Sequence, residues 1–365
     1  MKKYFLYPGC SLEASASHYL ISVKAIAKPL DLEWVEIEDW NCCGASVSYV
    51  GANELQIMVL NARNLALAEA AGGYDIVAPC SSCYVIENKV NRELKANPEL
   101  MAQINDILAE ARLNYHGSLE VRHLLDVLYN DVGLDAVKQA VKRPLTGLKV
   151  AGYVGCQTTR PFGEYDSVEN PRVLDELLAA LGAEVVDFTK KMQCCGAGLF
   201  LTEMERSMPL VREIIEDAEA HGADVVATAC PMCQMNLEIY QGKINKALRT
   251  HFRRPIVFIS QLMAVAMGLD SNRAHALNRN IVPAKRVIMK ALKGAATEVK
   301  KPNEEPVVIG RLTPQQQYQA FLDLTAAGDN AQAVYETMKK YLLDPDGVKK
   351  IKKAVEEGTL VRPSD

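Results

Sequence analysis

Short apolar runs alternate with amphipathic stretches along most of the chain. The runs KYFLYPGC, LEWVEIEDWN and YDIVAPC in the first half, and LKVAGYVGC, AEVVDFTKKMQ and ADVVATAC in the second, read as strands. Between them the apolar positions recur at helical spacing. Ser17 to Pro29 reads as one helix. Asn53 to Ala71 reads as another, with Leu55, Val59, Ala62, Leu65 and Ala66 on one face. Pro171 to Leu181 and Met204 to His221 occupy the matching places in the second half, with Pro171 in the first turn of its helix and Gly182 past the end. Strands alternating with helices predict α/β units with a largely parallel sheet. Residues 96–146 read as a mostly helical connector with an apolar stripe at Leu124, Leu125 and Leu128, and Met263 to Gly268 as a short closing helix. The expected domains are 1–145 and 146–270, then a Lys-rich linker over 271–312 and a helical C-terminal extension over 313–365.

The cysteines sharpen this picture. All ten fall into two copies of one pattern: Cys10, Cys42-Cys43-Gly44 and Cys80-x-x-Cys83, then Cys156, Cys194-Cys195-Gly196 and Cys230-x-x-Cys233. Each lone cysteine and each CxxC ends an apolar run, so three loops per half should meet at the carboxyl ends of strands, where α/β sheets collect ligands. Ser81 and Pro231 can open helices whose free N–H groups face the sulfurs. Adjacent residues on a strand point to opposite faces. Each CCG must therefore lie in a loop, where Gly44 and Gly196 permit the turn.

Composition limits the chemistry. Of 365 residues, 24% are charged and the formal net charge is -4, so no basic surface points to nucleic acid. The chain has no apolar run of the ~18 residues a membrane span needs. Its opening MKKYFLYPGC is too short an apolar stretch for a secretion signal. A cytoplasmic location follows, where disulfides are disfavoured and clustered cysteines point to metal or redox chemistry. Thiolates select iron–sulfur clusters, zinc or Cu(I). Five per half exceeds the four that tetrahedral zinc or an ordinary cubane takes.

The arrangement C–x31–CCG–x35–CxxC followed by C–x37–CCG–x33–CxxC resembles the CCG (cysteine-rich) domain family, and more narrowly the B subunits of heterodisulfide reductases, over residues 1–270. The resemblance implies two tandem Rossmann-like CCG domains related by a pseudo-twofold. It implies one non-cubane [4Fe-4S] cluster on Cys10, Cys42, Cys43, Cys80 and Cys83, and another on Cys156, Cys194, Cys195, Cys230 and Cys233. The clusters would face each other across a disulfide or thiol substrate, each passing one electron. No GxGxxG follows a strand, so electrons must arrive from partners; the resemblance implies a ferredoxin-like C subunit and a flavin-bearing A subunit. Zinc in one half, a sulfur-oxidising version of the complex, and a non-catalytic electron-transfer or anchor subunit of a dehydrogenase are the competing expectations.

Other residues carry less. His18, His116, His123, His221, His251 and His275 are scattered outside the cysteine motifs and read as surface or capping residues. Arg160 is read equally as a partner for an anionic substrate group or as a structural ion pair. Trp34 and Trp40 read as packing anchors. The resemblance implies a histidine after the lone cysteine of the second motif; here the position is Gln157.

Overall fold

The computed structural model describes residues 1–48, 51–200, 202–269, 272–298, 314–327, 331–341 and 348. Two four-stranded parallel sheets share one topology. The first holds β1 (Lys2–Leu6), β2 (Leu32–Glu36), β3 (Ile76–Ala78) and β4 (Val121–His123) in the order β2-β1-β3-β4. The second holds β5 (Lys149–Gly152), β6 (Glu184–Val186), β7 (Val225–Thr228) and β8 (Ile256–Phe258) in the order β6-β5-β7-β8. Register is set by pairs such as Phe5 with Ile76 and Val150 with Val225. In each sheet the order reverses between the first and third strands. That reversal opens a crevice at their carboxyl ends, and Cys10 and Cys80, or Cys156 and Cys230, follow those ends directly.

β4 lies inside the stretch expected to be a helical connector. Three residues suffice for the strand, and a helix begins at Leu124 immediately after it, so no alternation develops long enough to be read. Pro171 stands just outside its helix, which spans Val173–Ala180. Asp166 accepts hydrogen bonds from the N–H groups of Arg172 and Val173 at 2.9 and 3.0 Å and so fixes the start. Leu55 projects from the first turn of the Glu54–Ala70 helix into solvent, while Ala62, Leu65 and Ala66 are buried as expected. Asn53 caps that helix by accepting from Leu55 N–H.

Each half buries its first helix against the last helix of the other. The Ser17–Ala27 helix packs on Ile259–Ala266, and Tyr19 stacks on Phe258 at 3.8 Å. Tyr165 stacks in the corresponding way on His123. Leu12, Tyr19 and Ile26 thus share one core with Leu174, Phe258 and Leu262, and Met1–Ala295 forms one compact unit. Residues 284–298, expected within a linker, form a helix whose Ala284 and Ile288 are buried. Its lysines occupy the other face, and this masks its amphipathic character in a reading of charge alone. Residues 299–313 lie outside the described ones.

The second unit begins at Ala296. There the helices Pro314–Ala327 and Ala331–Lys340 pair through Ala320, Leu324, Val334 and Met338, with Asp323 accepting from Lys340 at 2.7 Å and Tyr341 at 2.9 Å.

Candidate metal centre

The three cysteine-bearing loops of each half converge. Cys10 Sγ lies 3.6 Å from Cys42 Sγ, and Cys43 Sγ lies 3.4 Å from Cys83 Sγ. Cys83 in turn hydrogen-bonds Cys80. In the second half Cys156 meets Cys194, and Cys233 meets both Cys195 and Cys230. Cys10 and Cys194 are exposed, whereas both CxxC pairs are buried.

Glycine geometry makes the convergence possible. Gly9 and Gly155 precede the lone cysteines with φ of +66° and +73°, and a Cβ there would sit 3.0 Å from Cys83 Sγ and 3.3 Å from Cys233 Sγ. Only a residue without a Cβ lets the loop lie over the CxxC thiol. Both CCG segments lie in loops, as expected. Gly44 and Gly196 have φ of +79° and +74°, and their N–H groups donate to Cys42 Sγ and Cys194 Sγ at 3.4 and 3.3 Å. Ser81 and Pro231 open helices whose N-cap positions are Cys80 and Cys230.

The two sets also meet each other. The thiols of Cys80 and Cys230 interact with each other. These are equivalent residues of the two halves, so their contact lies on the pseudo-twofold. Ser82 Oγ donates to Gln157 Oε1 at 2.6 Å, and Ser81 Oγ lies 2.8 Å from Thr158 Oγ1, tying the halves together beside that contact. A cavity of about 330 Å³ opens here, lined by all five cysteines of the second set, by Val154, Leu199 and Met232, and by the neutral polar side chains of Ser81, Ser82, Gln157 and Thr202. Among the described residues no charged side chain lines it.

Electrostatics distinguish the thiols. Hydrogen bonding with Cys10 and then with Cys43, helped by Gly44 N–H, lowers Cys42 to about 2 against the cost of burial. Donation from Cys156 and then Gly196 N–H takes its counterpart Cys194 down to about 6. Hydrogen bonding with those same partners, and then burial, push Cys10 and Cys156 up, and Cys43 is raised to about 12. Cys230 accepts from Cys233 and Cys80 and from the helix N–H groups of Cys233 and Met232, which favours its thiolate.

The donor set suits a polynuclear group. Two thiolates on one tetrahedral metal, each at about 2.3 Å, stand about 3.8 Å apart. The observed 3.4–3.6 Å pairs match that spread. Among the described residues no three or more His, Cys, Asp or Glu side chains are grouped around a single-ion position.

Several supporting residues escaped the sequence reading. Asn61, fully buried on the Glu54–Ala70 helix, donates to Cys43 O at 2.8 Å. Asn236 donates to Cys195 O from a different element, the Pro231–Glu238 helix. No shared motif signals the pair. His123 is wholly buried 3.3 Å from Ser81 Oγ, with its Nδ1 capping the helix at Leu125. His18 and His275 are buried as well. Arg160, by contrast, bonds Val168 O and pairs with Glu169 within its own loop, away from the cavity. Trp34 and Trp40 pack against Tyr4 and Tyr7.

Fold and site together define a tandemly duplicated, thiol-rich α/β protein. Residues 4–86 and 150–238 each match the cysteine-rich domain, CCG. The chain belongs to this cysteine-rich domain family, within the group that contains the B subunits of heterodisulfide reductases. It is 36% identical over 288 residues to the 8-methylmenaquinol:fumarate reductase membrane anchor subunit of Wolinella succinogenes, covering 78% of this chain and 99% of that protein. It is 33% identical to an Archaeoglobus profundus protein described as like the B subunit of heterodisulfide reductase, over 80% of this chain and 99% of that one. The B subunit of the ferredoxin/F(420)H(2)-dependent CoB-CoM heterodisulfide reductase of Methanosarcina acetivorans is 32% identical, over 74% and 91%. A hypothetical protein from Helicobacter pylori of known structure shares the fold with a TM-score of 0.62 at 17% identity; 77% of this chain is covered, and it spans about half (52%) of that one. No described helix is long and apolar enough to cross a membrane.

Proposed function

We propose that this chain is the iron–sulfur B subunit of a heterodisulfide reductase-type complex, reducing or forming a disulfide in two one-electron steps. Residues 1–145 and 146–270 are the two repeats. Cys10, Cys42, Cys43, Cys80 and Cys83 hold one non-cubane [4Fe-4S] cluster; Cys156, Cys194, Cys195, Cys230 and Cys233 hold the other. The observation that carries this reading is the contact of Cys80 with Cys230: two five-thiol sets meet on one axis, beside one cavity. The clusters supply one-electron redox chemistry, and a pair of them matches the two electrons of an S–S bond. The chain's own residues do the rest. Ser82 and Gln157 hold the halves together, and Cys42, Cys194 and Cys230 are the thiols most readily ionised for ligation. The cavity offers neutral hydrogen-bonding groups, so any anionic end of the substrate lies outside it. Electrons come from a ferredoxin-like C subunit and a flavin-bearing A subunit in the cytoplasm.

The test is anaerobic purification with metal analysis. About eight irons per chain and negligible zinc are expected, at about four per cluster; four irons plus one zinc identify a zinc site in one half. Cys194→Ser with Cys195→Ser should remove about half the iron and most disulfide reductase activity, and retention of full iron would overturn the ligand assignment. The 36% identity to the fumarate reductase protein favours a second reading, an electron-transfer component of a quinol-linked reductase. Disulfide turnover by the purified complex decides between them.

A further inference from the structure

The cavity beside the Cys80–Cys230 contact has two unlike walls. Ser82 and Met232 hold equivalent places in the two CxxC segments, and both line it. The first half thus contributes hydroxyl groups, from Ser81 and Ser82, while the second contributes the apolar Val154, Leu199 and Met232. Leu199 is 40% exposed and stands at the mouth, with the exposed Thr202 on the same rim; Val154 is buried. At about 330 Å³ the space is of the size that takes a small molecule.

The hydroxyl protons of the polar wall are committed. Thr158 Oγ1 donates its single proton to Val154 O at 2.6 Å, so in the 2.8 Å contact of Ser81 Oγ with Thr158 Oγ1 the serine is the donor. Ser82 Oγ donates to Gln157 Oε1 at 2.6 Å. Each serine has one proton, and both are used between the halves; toward the cavity the serines offer lone pairs. Charges are committed as well. Among the described residues no Lys, Arg, His, Asp or Glu lines the cavity. Of the cations on the loops that carry the second set, Lys191 pairs with Asp175 and Asp187 at 2.8 and 3.0 Å, Lys190 with Glu213 at 3.3 Å and Arg160 with Glu169 at 3.6 Å. A carboxylate, phosphate or sulfonate entering here would lose water and gain neither a counter-ion nor a serine proton. An ammonium group would find no carboxylate. A hydroxyl or amide N–H can donate to Ser81 or Ser82 and so keep its hydrogen bond.

Resting on the function proposed above, we propose that this cavity selects an uncharged disulfide or thiol with hydroxyl or amide N–H groups near the sulfur, and excludes those bearing charged groups there. Ser81 and Ser82 are the specificity-determining residues of the polar wall; Leu199 and Met232 are those of the apolar one. Because Met232 has a serine as its counterpart, the selection belongs to the side of the cavity that the second cysteine set lines.

The test is calorimetric titration of the oxidised, iron-loaded full-length chain under anaerobic conditions. The probes are bis(2-hydroxyethyl) disulfide, 3,3′-dithiodipropionate and cystamine, which share one spacer and at neutral pH are uncharged, doubly negative and doubly positive. The uncharged probe should bind at least about tenfold tighter than either of the others. Leu199→Lys places a cation at the mouth; it should tighten the dianion at least about tenfold and leave the iron content and the affinity for the uncharged probe unchanged. Should Leu199→Lys not accumulate with iron, Thr202→Lys on the exposed rim replaces it with the same expectation. Three results overturn the proposal: a charged probe bound as tightly as the uncharged one by the wild type, a dianion affinity unmoved by the lysine, or no binding of any probe to an iron-loaded chain. A chain without iron, or a complex that turns over no disulfide at all, would instead overturn the function on which the proposal rests.

Discussion

Replacing Gly196 by alanine should be the most damaging single methyl group that can be added to the CCG loops. Its φ of +74° costs an L-residue about 1–2 kcal/mol. The new Cβ would lie 2.8 Å from Ser207 Oγ, 3.0 Å from Leu210 Cδ1 and 3.3 Å from Ser207 Cα. Ser207 is fully buried and donates to Gly196 O at 3.0 Å, so it cannot retreat without breaking that bond. Overpacking of this kind adds about 1–3 kcal/mol, giving a total of about 2–5 kcal/mol. Two other glycines calibrate the value. Gly222 has φ of +80° and nothing within 4 Å of a Cβ, so Gly222→Ala carries the backbone cost alone. Gly44→Ala comes too close to Ile57 Cδ1 alone, the tip of a flexible side chain, with ordinary contacts to Leu60 and Val47, and should fall between the two. All three gain the same small stabilisation from a stiffer unfolded chain, which cancels in the comparison. The assay is urea unfolding under anaerobic conditions, with iron content measured in parallel. The expected order of midpoints is Gly222→Ala, then Gly44→Ala, then Gly196→Ala, and only the last should lose iron from the second set. Equal midpoints for Gly196→Ala and Gly222→Ala would refute the close approach of the loop to Ser207.

Asn61→Ala and Asn236→Ala each leave a buried cysteine carbonyl short of a donor, at a cost of about 1–3 kcal/mol; iron analysis should show loss confined to the first and second set respectively. Phe258→Ala removes a fully buried ring stacked on Tyr19 from the opposite half and should destabilise the Met1–Ala295 unit by about 3–5 kcal/mol in denaturant titrations. Burial, and secondarily the charge of Arg279, lower His18 to about 4, so its neutral form is favoured in the folded state. The stability it contributes is complete above about pH 6.5 and is lost as pH falls toward 4. Glu87 and Glu238, raised to about 8 and about 7, act in the opposite sense, so the difference between wild type and His18→Phe isolates the histidine. That difference should grow in favour of the variant between pH 6.5 and 4, and a constant difference would refute the assignment.

The parts of this molecule that were legible in the sequence are those written in local runs. β1, β2 and β3 and their counterparts end apolar stretches that can be seen without a partner, and the cysteines mark where they stop. β4 and β8 are three residues each and run straight into helices, so their strand character depends on pairing with β3 and β7. The exchange of helices between halves was invisible for the same reason: nothing near Tyr19 announces Phe258. The buried histidines show the limit of a reading based on frequency. His123 and His275 do cap, through Nδ1 to the N–H of Leu125 and Leu277, but their burial comes from long-range packing. Asn61 and Asn236 serve the equivalent carbonyls of Cys43 and Cys195 from helices that do not correspond, which no comparison of the two repeats by position would reveal.

The contact of Cys80 with Cys230 limits how the two halves can divide their work. Equivalent residues touch only on the axis of a twofold, so whatever sits there faces the same chemistry from both sides. Away from the axis the equivalence is lost. The cavity takes five cysteines from the second set and only Ser81 and Ser82 from the first half's CxxC segment. Asn64 donates to Glu87 behind the first set, where the second has the apolar Ile214 and Leu237. Symmetry is kept where the folding of each lobe needs it: in the glycines at φ > 0, in the tyrosine that donates to the residue before each CCG, and in the helix that opens at each CxxC. It is abandoned only at side chains that pack without being required for packing. Duplication thus fixed the geometry of both thiol sets at once and left their surroundings free to diverge.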